Sequence, residues 1–239
     1  MKKAKKSLSQ NFLIDKNIRK KIINRVKIFN KTILEIGPGY GFMTDEILEN
    51  KPKKIILIEK DNTLAKYLIN KYKNNDKVLV ICDDILNFDI KIFNNITVVS
   101  NLPYNLSTKI ILYLFNFDKN IFEMIFMVQK EVAIKFDYSL AKMNKYKFLS
   151  FIVSKYTRCF DVSSKVFLPK PKVQSTVVKF EFKKNNIDLG RAKAFSNSIF
   201  KNVRKKIYKN LNCEPKNELV NKRVNQININ DLLSIYDSF

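Results

Sequence analysis

The sequence predicts an α/β fold, in which a largely parallel sheet with helices on both faces precedes a small α-helical domain. Short apolar runs of the kind that form buried strands alternate with segments whose apolar residues recur at helical spacing. This alternation favours right-handed βαβ units, because parallel strands need a crossover between them. The predicted strands are 32–36, 54–58, 78–81, 96–100 and 124–128, and the predicted helices are 16–28, 43–48, 64–72 and 107–115.

The pattern changes in the second half of the chain. A helical stretch is predicted over 131–154, and residues 173–182 alternate apolar and polar residues as an antiparallel strand does. Residues 183–186 have the composition of a linker. Beyond it, five apolar residues at four-residue spacing predict a helix: Phe195, Ile199, Val203, Ile207 and Leu211. We therefore expect one domain over 1–183 and a small helical domain over 184–239.

The composition narrows the function before any motif is considered. Lys and Arg number 45 against 22 Asp and Glu, which gives a net charge of +23 and favours a polyanionic partner such as nucleic acid. The alternative is a coding bias, because lysine, asparagine and isoleucine are all heavily used. The excess of lysine would then form a solvated surface without a polyanionic partner. The absence of histidine removes the usual catalytic triads, and three separated cysteines support neither a disulfide framework nor a zinc site. No apolar stretch has the length of a membrane span, so we expect a cytoplasmic protein.

Three of the four glycines, Gly37, Gly39 and Gly41, directly follow the first strand of the predicted sheet. Glycines there allow the backbone to approach a ligand closely and turn into a helix. Glu59 ends the next strand, where a carboxylate can accept both hydroxyls of a ribose. A tight turn beside an exposed acidic residue is the simpler alternative. Asp84 follows the third strand and is the candidate partner for an adenine, with Asp83 as its competitor.

The residues Asn101, Leu102, Pro103 and Tyr104 follow the fourth strand of the sheet. An asparagine amide both donates and accepts hydrogen bonds, and a tyrosine ring offers a face on which a base can stack. An ordinary strand-to-helix turn is the alternative interpretation. Together with the three preceding strand ends, however, this set is typical of a class I methyltransferase that uses S-adenosyl-L-methionine and acts on an amine.

Five motifs resemble those of the rRNA adenine N6-dimethyltransferases, and more narrowly their small-subunit branch. The likeness runs from residue 6 to about 211, and its motifs are SQNFL at 9–13, EIGPGYG at 35–41, NLPYNLST at 101–108, MVQKEV at 127–132 and FLPKPKV at 167–173. The QKEV segment and the basic residues 204–206 favour the small-subunit branch over the antibiotic-resistance branch, which methylates 23S rRNA.

The resemblance implies a role for each matching residue. The cofactor-binding residues it implies are Asn11, Leu13, Gly37, Glu59, Asp84 and Asn101. The catalytic residues it implies are Asn101, Leu102, Tyr104 and Phe167, of which Tyr104 and Phe167 would sandwich a flipped adenine. Leu13 as a packing residue and Phe167 as part of the core are the alternatives. Neither a metal nor a general base is expected.

The implied activity is N6,N6-dimethylation of two adjacent adenosines in 16S rRNA, with a role in small-subunit ribosome biogenesis. The implied partner is small-subunit rRNA in the pre-30S particle. We expect the protein to bind it as a monomer and not to bind a membrane. Residues Arg204 to Lys206, on the polar side of the last predicted helix, would contact phosphates. A 23S rRNA methyltransferase, a DNA adenine methyltransferase and a mainly non-catalytic RNA-binding assembly factor are the alternatives.

Overall fold

The computed structural model describes residues 11–184, 188–215 and 218–239. The motif residues Ser9 and Gln10, and two of the four linker residues, Asn185 and Asn186, lie outside that part of the chain. The contacts divide the chain into a first unit, 1–133 with 157–182, and a second unit, 134–156 with 183–239. The sequence predicted a single boundary at 183/184, so the contacts differ from it by placing 134–156 with the C-terminal helices.

The strands are β1 (Phe12–Leu13), β2 (Thr32–Ile36), β3 (Lys54–Glu59), β4 (Val78–Cys82), β5 (Ile96–Asn101), β6 (Ile121–Gln129), β7 (Ser154–Val162), β8 (Phe167–Leu168) and β9 (Ser175–Phe182). Seven of them form one sheet of order β4-β3-β2-β5-β6-β9-β7. Strands β2 to β6 run parallel, and β9 pairs antiparallel with β6. A separate antiparallel pair joins β1 to β8.

The parallel order follows from strands that are apolar nearly throughout. In β3 the five residues from Ile55 to Glu59 are all buried, as expected for a strand covered on both faces. The chain first builds β2, β3 and β4 outward in one direction and then returns to place β5 on the other side of β2. The carboxyl ends of β2 and β5 therefore lie at the topological switch point, where open α/β sheets bind ligands.

The helices that the sequence predicted between the strands are present, with shifted ends. Asp15 caps the first helix by accepting from the Ile18 N–H, and this helix ends at Ile23 rather than at the predicted residue 28. The helices of this part are α1 (Lys16–Ile23), α2 (Phe42–Glu49), α3 (Asn62–Lys71), α4 (Ser107–Leu114) and α5 (Lys130–Phe136). Among the described residues no helix is long and apolar enough to cross a membrane.

The prediction of one helical stretch over 131–154 is wrong. Helix α5 ends at Phe136, and Asp137 accepts hydrogen bonds from the Ser139 N–H and hydroxyl, which turns the chain. Asn144 then caps a new helix, α6 (Lys145–Val153), by accepting from the Tyr146 and Lys147 N–H groups. Short polar side chains that bond neighbouring backbone groups favour such breaks. Strand β7, which begins at Ser154, was not predicted.

The second unit is helical, as predicted, around an aromatic core. Rings of Phe148, Phe195 and Tyr236 lie 5.2–5.4 Å apart between centroids. Its remaining helices are α7 (Leu189–Ile199), α8 (Ile207–Leu211), α9 (Glu218–Asn221) and α10 (Ile229–Ser238).

The continuous helix predicted through residues 195–211 is also wrong. Helix α7 ends at Ile199 and α8 begins at Ile207, with Val203 49% exposed between them. The Asn210 amide stabilises the break by donating to the backbone carbonyls of Ile199 and Asn202. Residues Arg204 to Lys206 are therefore an exposed connection and not the polar face of a helix.

Candidate functional site

A cavity of about 360 Å³ opens at the carboxyl ends of β2, β3, β4 and β5. It has the size and position expected of a small-molecule site in an open α/β sheet. The structure brings nearly all the residues predicted for the site to its wall: Asn11, Leu13, Gly37, Glu59, Asp84, Asn101, Leu102 and Tyr104. The competing residue Asp83 lies on the same wall.

The glycine turn after β2 leaves room for a ligand. Gly37 has φ +62°, a conformation that L side chains rarely adopt, and a Cβ built there would point into open space. Gly39 also has φ +62°, and a Cβ there would lie 2.7 Å from the Phe12 ring. The positive φ therefore favours glycine at both positions, and at Gly39 the close approach of the Phe12 ring also excludes a side chain.

Glu59 is held in place by the backbone around it. Its Oε2 accepts from the Gly39 N–H at 3.1 Å and its Oε1 accepts from the Asp61 N–H at 2.9 Å. Burial raises the pKa of Glu59, although these N–H groups oppose the shift. A carboxylate has about four acceptor positions, so each oxygen retains capacity for a ligand hydroxyl.

Asp84 is half-buried, whereas Glu59 is buried. Its Oδ2 forms an ion pair with Lys60 Nζ at 2.7 Å, and its Oδ1 accepts from the Leu86 N–H at 3.0 Å. Partial burial works to raise the pKa of Asp84, but Lys60 and the Leu86 N–H outweigh it and hold the pKa below its usual value. The carboxylate is thus ionised and its orientation is fixed.

The two polar atoms of the Asn101 amide differ in their hydrogen bonding. Its Nδ2 donates to the backbone carbonyl of Asn11 at 2.7 Å. Because a carbonyl can only accept, the nitrogen must face Asn11, and the amide oxygen must face the other way. That Oδ1 is buried and has no hydrogen-bond partner among the described residues. Buried acceptors without partners are rare, so this oxygen is suited to a donor that the protein chain does not supply.

The N-terminal segment around Asn11 is fastened from several directions. Strand β1 pairs with β8, and the Arg19 guanidinium donates to the backbone carbonyls of Leu13 at 3.2 Å and Ile14 at 2.6 Å. The Phe12 ring meets the Tyr40 ring edge-on, 4.9 Å between centroids. The orientation of the Asn101 amide therefore depends on a segment about 90 residues earlier, a link that the sequence does not reveal.

Phe167 is the predicted site residue that the structure does not bring to the cavity. It is 3% exposed, pairs opposite Leu13 in the β1–β8 ladder, and packs in the apolar core of the first unit. A ring enclosed in this way presents no face to a base. The placement agrees with the alternative that Phe167 is a core residue, because a phenylalanine ahead of a proline fills a core as readily as it forms a stacking platform.

Glu35 is a cavity residue that the sequence reasoning missed. Its carboxyl accepts from the Thr44 hydroxyl at 2.6 Å, and burial raises its pKa to about 8 against the opposing effect of this hydrogen bond. The available signal was an acidic residue inside the apolar strand, two positions before the first glycine of the turn. Lys60 was missed as well, and nothing in its sequence context distinguishes it from the many surface lysines.

The cavity is acidic although the chain is strongly basic. Among the described residues that line it, the acidic side chains Glu35, Glu59, Asp83 and Asp84 face a single basic side chain, Lys60. Because its pKa is raised to about 8, Glu35 is mostly uncharged at neutral pH and leaves the negative charge to the other acidic residues. Carboxylates close together in a low-dielectric cleft favour a cationic ligand. S-adenosylmethionine carries a sulfonium and an ammonium group, and its ribose and adenine need acceptors such as Glu59 and Asp84. The residues present fit this cofactor.

Comparison with solved structures confirms the class I methyltransferase fold. The 23S rRNA methyltransferase ErmE superimposes with a TM-score of 0.78 at 18% identity, covering 95% of this chain and 98% of that one. A dimethyladenosine transferase from Plasmodium falciparum gives 0.80 at 23% identity, covering 94% and 95%. At these identities the likeness shows the fold alone.

The sequence comparisons are more specific. The family model for ribosomal RNA adenine dimethylase matches residues 1–237, and the chain belongs to this family of S-adenosylmethionine-dependent methyltransferases. Ribosomal RNA small subunit methyltransferase A of Malacoplasma penetrans is 37% identical, covering 90% of this chain and 81% of the relative. The protein of the same name from a Hydrogenobaculum species is 32% identical, covering 100% and 94%. The predicted family, enzyme class and cofactor are thereby confirmed.

Proposed function

We propose that this protein transfers methyl groups to N6 of two adjacent adenosines in 16S rRNA, acting as a cytoplasmic monomer on the pre-30S particle during small-subunit biogenesis. The observation that carries the proposal is the buried, unpartnered Asn101 Oδ1 at the switch point of the sheet. An exocyclic amine supplies the donor that this oxygen lacks. The names of the relatives support the small-subunit substrate.

The residues proposed to hold the cofactor surround the cavity on three strand ends. Glu59 accepts the ribose hydroxyls with the lone pairs that Gly39 and Asp61 leave free. Asp84 accepts from the adenine amine, and the open space at Gly37 receives the methionine end. Asn11 and Leu13 close the cavity from the N-terminal segment. When bound, S-adenosylmethionine supplies an activated methyl group on its sulfonium sulfur.

Asn101 is proposed to prepare the target nitrogen. The adenine N6 is a poor nucleophile because its lone pair is delocalised into the ring. An N6–H bond donated to Asn101 Oδ1, and a second donated to the Leu102 carbonyl, would favour a pyramidal nitrogen whose lone pair is free to react. Asn11 keeps the amide from turning, so the acceptor is in place before the base arrives.

Tyr104 is proposed to receive the flipped base on its ring. Its side chain lines the cavity next to Asn101 and is only partly buried. Stacking a base on an aromatic ring contributes about 1–3 kcal/mol, which offsets part of the cost of unstacking it from the RNA. The buried Phe167 leaves Tyr104 as the stacking residue that we assign.

The alternatives are weaker on the same observations. A mainly non-catalytic assembly factor does not need a cavity that contains oriented carboxylates and an amide oxygen without a hydrogen-bond partner. The likeness to the 23S enzyme ErmE extends to the fold and not to the substrate. The two relatives compared in sequence are named as small-subunit enzymes.

The proposal is tested by incubating the protein and labelled S-adenosylmethionine with unmethylated small-subunit particles, with large-subunit rRNA in a parallel reaction. Nucleosides are then analysed by mass spectrometry. We expect N6,N6-dimethyladenosine in the small-subunit RNA at two adjacent positions. Label in the large-subunit RNA alone, or no label in either, would contradict the proposal.

A further inference from the structure

The hydroxyl of Tyr104 has a hydrogen-bond partner within the protein. Tyr104 Oη lies 2.6 Å from the Oγ of Ser175, a residue 71 positions later in the chain. Burial raises the pKa of Tyr104 against the opposing effect of Ser175, so the phenol is neutral and shares one hydrogen bond with the serine hydroxyl. The Tyr104 side chain is therefore fixed at both ends, by its backbone in the loop after β5 and by Ser175.

Ser175 is a well-defined anchor for this bond. It is the first residue of β9, is 0% exposed, and lies opposite Gln129, the last residue of β6. Just before it in the chain, the Gln174 carbonyl accepts from the Lys130 N–H at 3.0 Å. The backbone around Ser175 is thus held by the last residue of β6 and the first residue of α5.

An ion-pair cluster secures the residue that follows Ser175. The Thr176 hydroxyl donates to Asp161 Oδ1 at 2.8 Å. Both carboxylate oxygens of Asp161 are 2.8 Å from Arg158 Nη2, and Lys130 Nζ lies 3.2 Å from Oδ2. The hydrogen bond from Arg158 is the largest cause that lowers the pKa of Asp161, to about 2. The cluster therefore stays charged at neutral pH. Ser175 consequently has little freedom to move.

We infer that Ser175 is a positioning residue for Tyr104. This role rests on the proposed function, in which Tyr104 stacks on the target base. Ser175 fixes the plane of the Tyr104 ring before the RNA binds. Without the bond the ring can rotate about its side-chain torsions, and ordering it becomes part of the cost of the reaction. The hydroxyl of Tyr104 then has an orienting role that a phenylalanine in its place would lack.

The rate test compares Ser175→Ala, Tyr104→Phe and the double variant in single-turnover methylation of small-subunit particles. Each single variant loses the same neutral hydrogen bond, so each should be slower by about two- to tenfold, while affinity for S-adenosylmethionine is unchanged. The double variant should be no slower than Tyr104→Phe, because one bond cannot be lost twice. Ser154→Ala is the matched control: it removes another fully buried serine hydroxyl at the start of a strand, bonded to the Ser150 carbonyl, and should keep the parental rate.

A second readout follows the ring without any chemistry. With 3-fluorotyrosine at position 104, the ¹⁹F resonance of the protein should shift in Ser175→Ala and stay unchanged in Ser154→Ala. A parental rate in Ser175→Ala, losses that multiply in the double variant, or an unshifted resonance would each overturn the inference. If the parental protein does not methylate small-subunit RNA at all, the proposed function fails, and the ¹⁹F resonance still decides whether Ser175 orients the ring.

Discussion

The acidic cavity of the first unit and the basic segment Lys201–Lys206 of the second use charge in opposite ways. In the cavity, backbone N–H groups donate to Glu59 and Asp84, and the Asn101 amide donates to a backbone carbonyl, so each of the three side chains has a fixed orientation. In the basic segment, Lys201, Arg204, Lys205 and Lys206 are all exposed. The cavity therefore depends on individual atoms, whereas the segment contributes a summed positive charge. Single substitutions should be severe in the cavity and mild in the segment.

The largest effect on stability is expected at Phe167, where the structure and the sequence prediction disagree. Replacing this buried ring by alanine leaves a cavity in the core and should lower the free energy of unfolding by about 3–5 kcal/mol. Tyr104→Ala, at a partly exposed ring, should cost much less stability and reduce methylation instead. Chemical denaturation and single-turnover rates of both variants separate the two roles.

The conservative variant Phe167→Leu keeps this test decisive if the alanine variant does not fold. A leucine fills most of the core site but offers no aromatic face, so we expect methylation near the parental rate. A folded Phe167→Leu protein that has lost methylation would show that the ring reaches the target base, as the sequence had predicted.

A smaller effect is expected for cofactor affinity at Glu59. Glu59→Gln keeps one acceptor oxygen but loses the charge that strengthens the hydrogen bonds to a ribose, so S-adenosylmethionine should bind more weakly by about 1.5–3 kcal/mol. The glutamine variant is preferable to alanine because its remaining oxygen still accepts from one of the Gly39 and Asp61 N–H groups, whereas alanine would leave both without an acceptor. Calorimetry checks the affinity, and an unchanged value would remove Glu59 from the cofactor site.

The mildest effect per residue is expected in the basic segment. Reversing the charge of Arg204, Lys205 and Lys206 together should weaken rRNA binding and lower its slope against log salt by roughly 2–3 units, if each residue contacts one phosphate. Lys51, Lys53 and Lys54 provide the matched control, because they are exposed at the amino end of β3, opposite the cavity edge of the sheet. An equal loss in both triple variants would mean that only net charge matters.

Features with a local sequence pattern could be predicted, whereas contacts between distant segments could not. The strand ends and their polar residues follow from local patterns, since an apolar run fixes the strand and the next residues must lie at its carboxyl end. The break between Ile199 and Ile207 could not be predicted, because four-residue spacing of apolar residues is the same whether or not the helix continues. The contacts Asn101–Asn11 and Tyr104–Ser175 join distant segments and have no local signature. The burial of Phe167 likewise depends on the pairing of β8 with β1.

Asn101→Ala separates the two roles that we assign, in which Asn101 serves the reacting nitrogen and exposed positive charge holds the RNA. Salt-titrated binding and single-turnover methylation are measured on the same small-subunit particles. We expect rRNA affinity within about twofold of the parental value and a methylation rate lower by about 10²–10³, as for the loss of one preorganised polar group at a reacting atom. Dimethylation at the parental rate by Asn101→Ala would contradict the role of Asn101 at the reacting nitrogen.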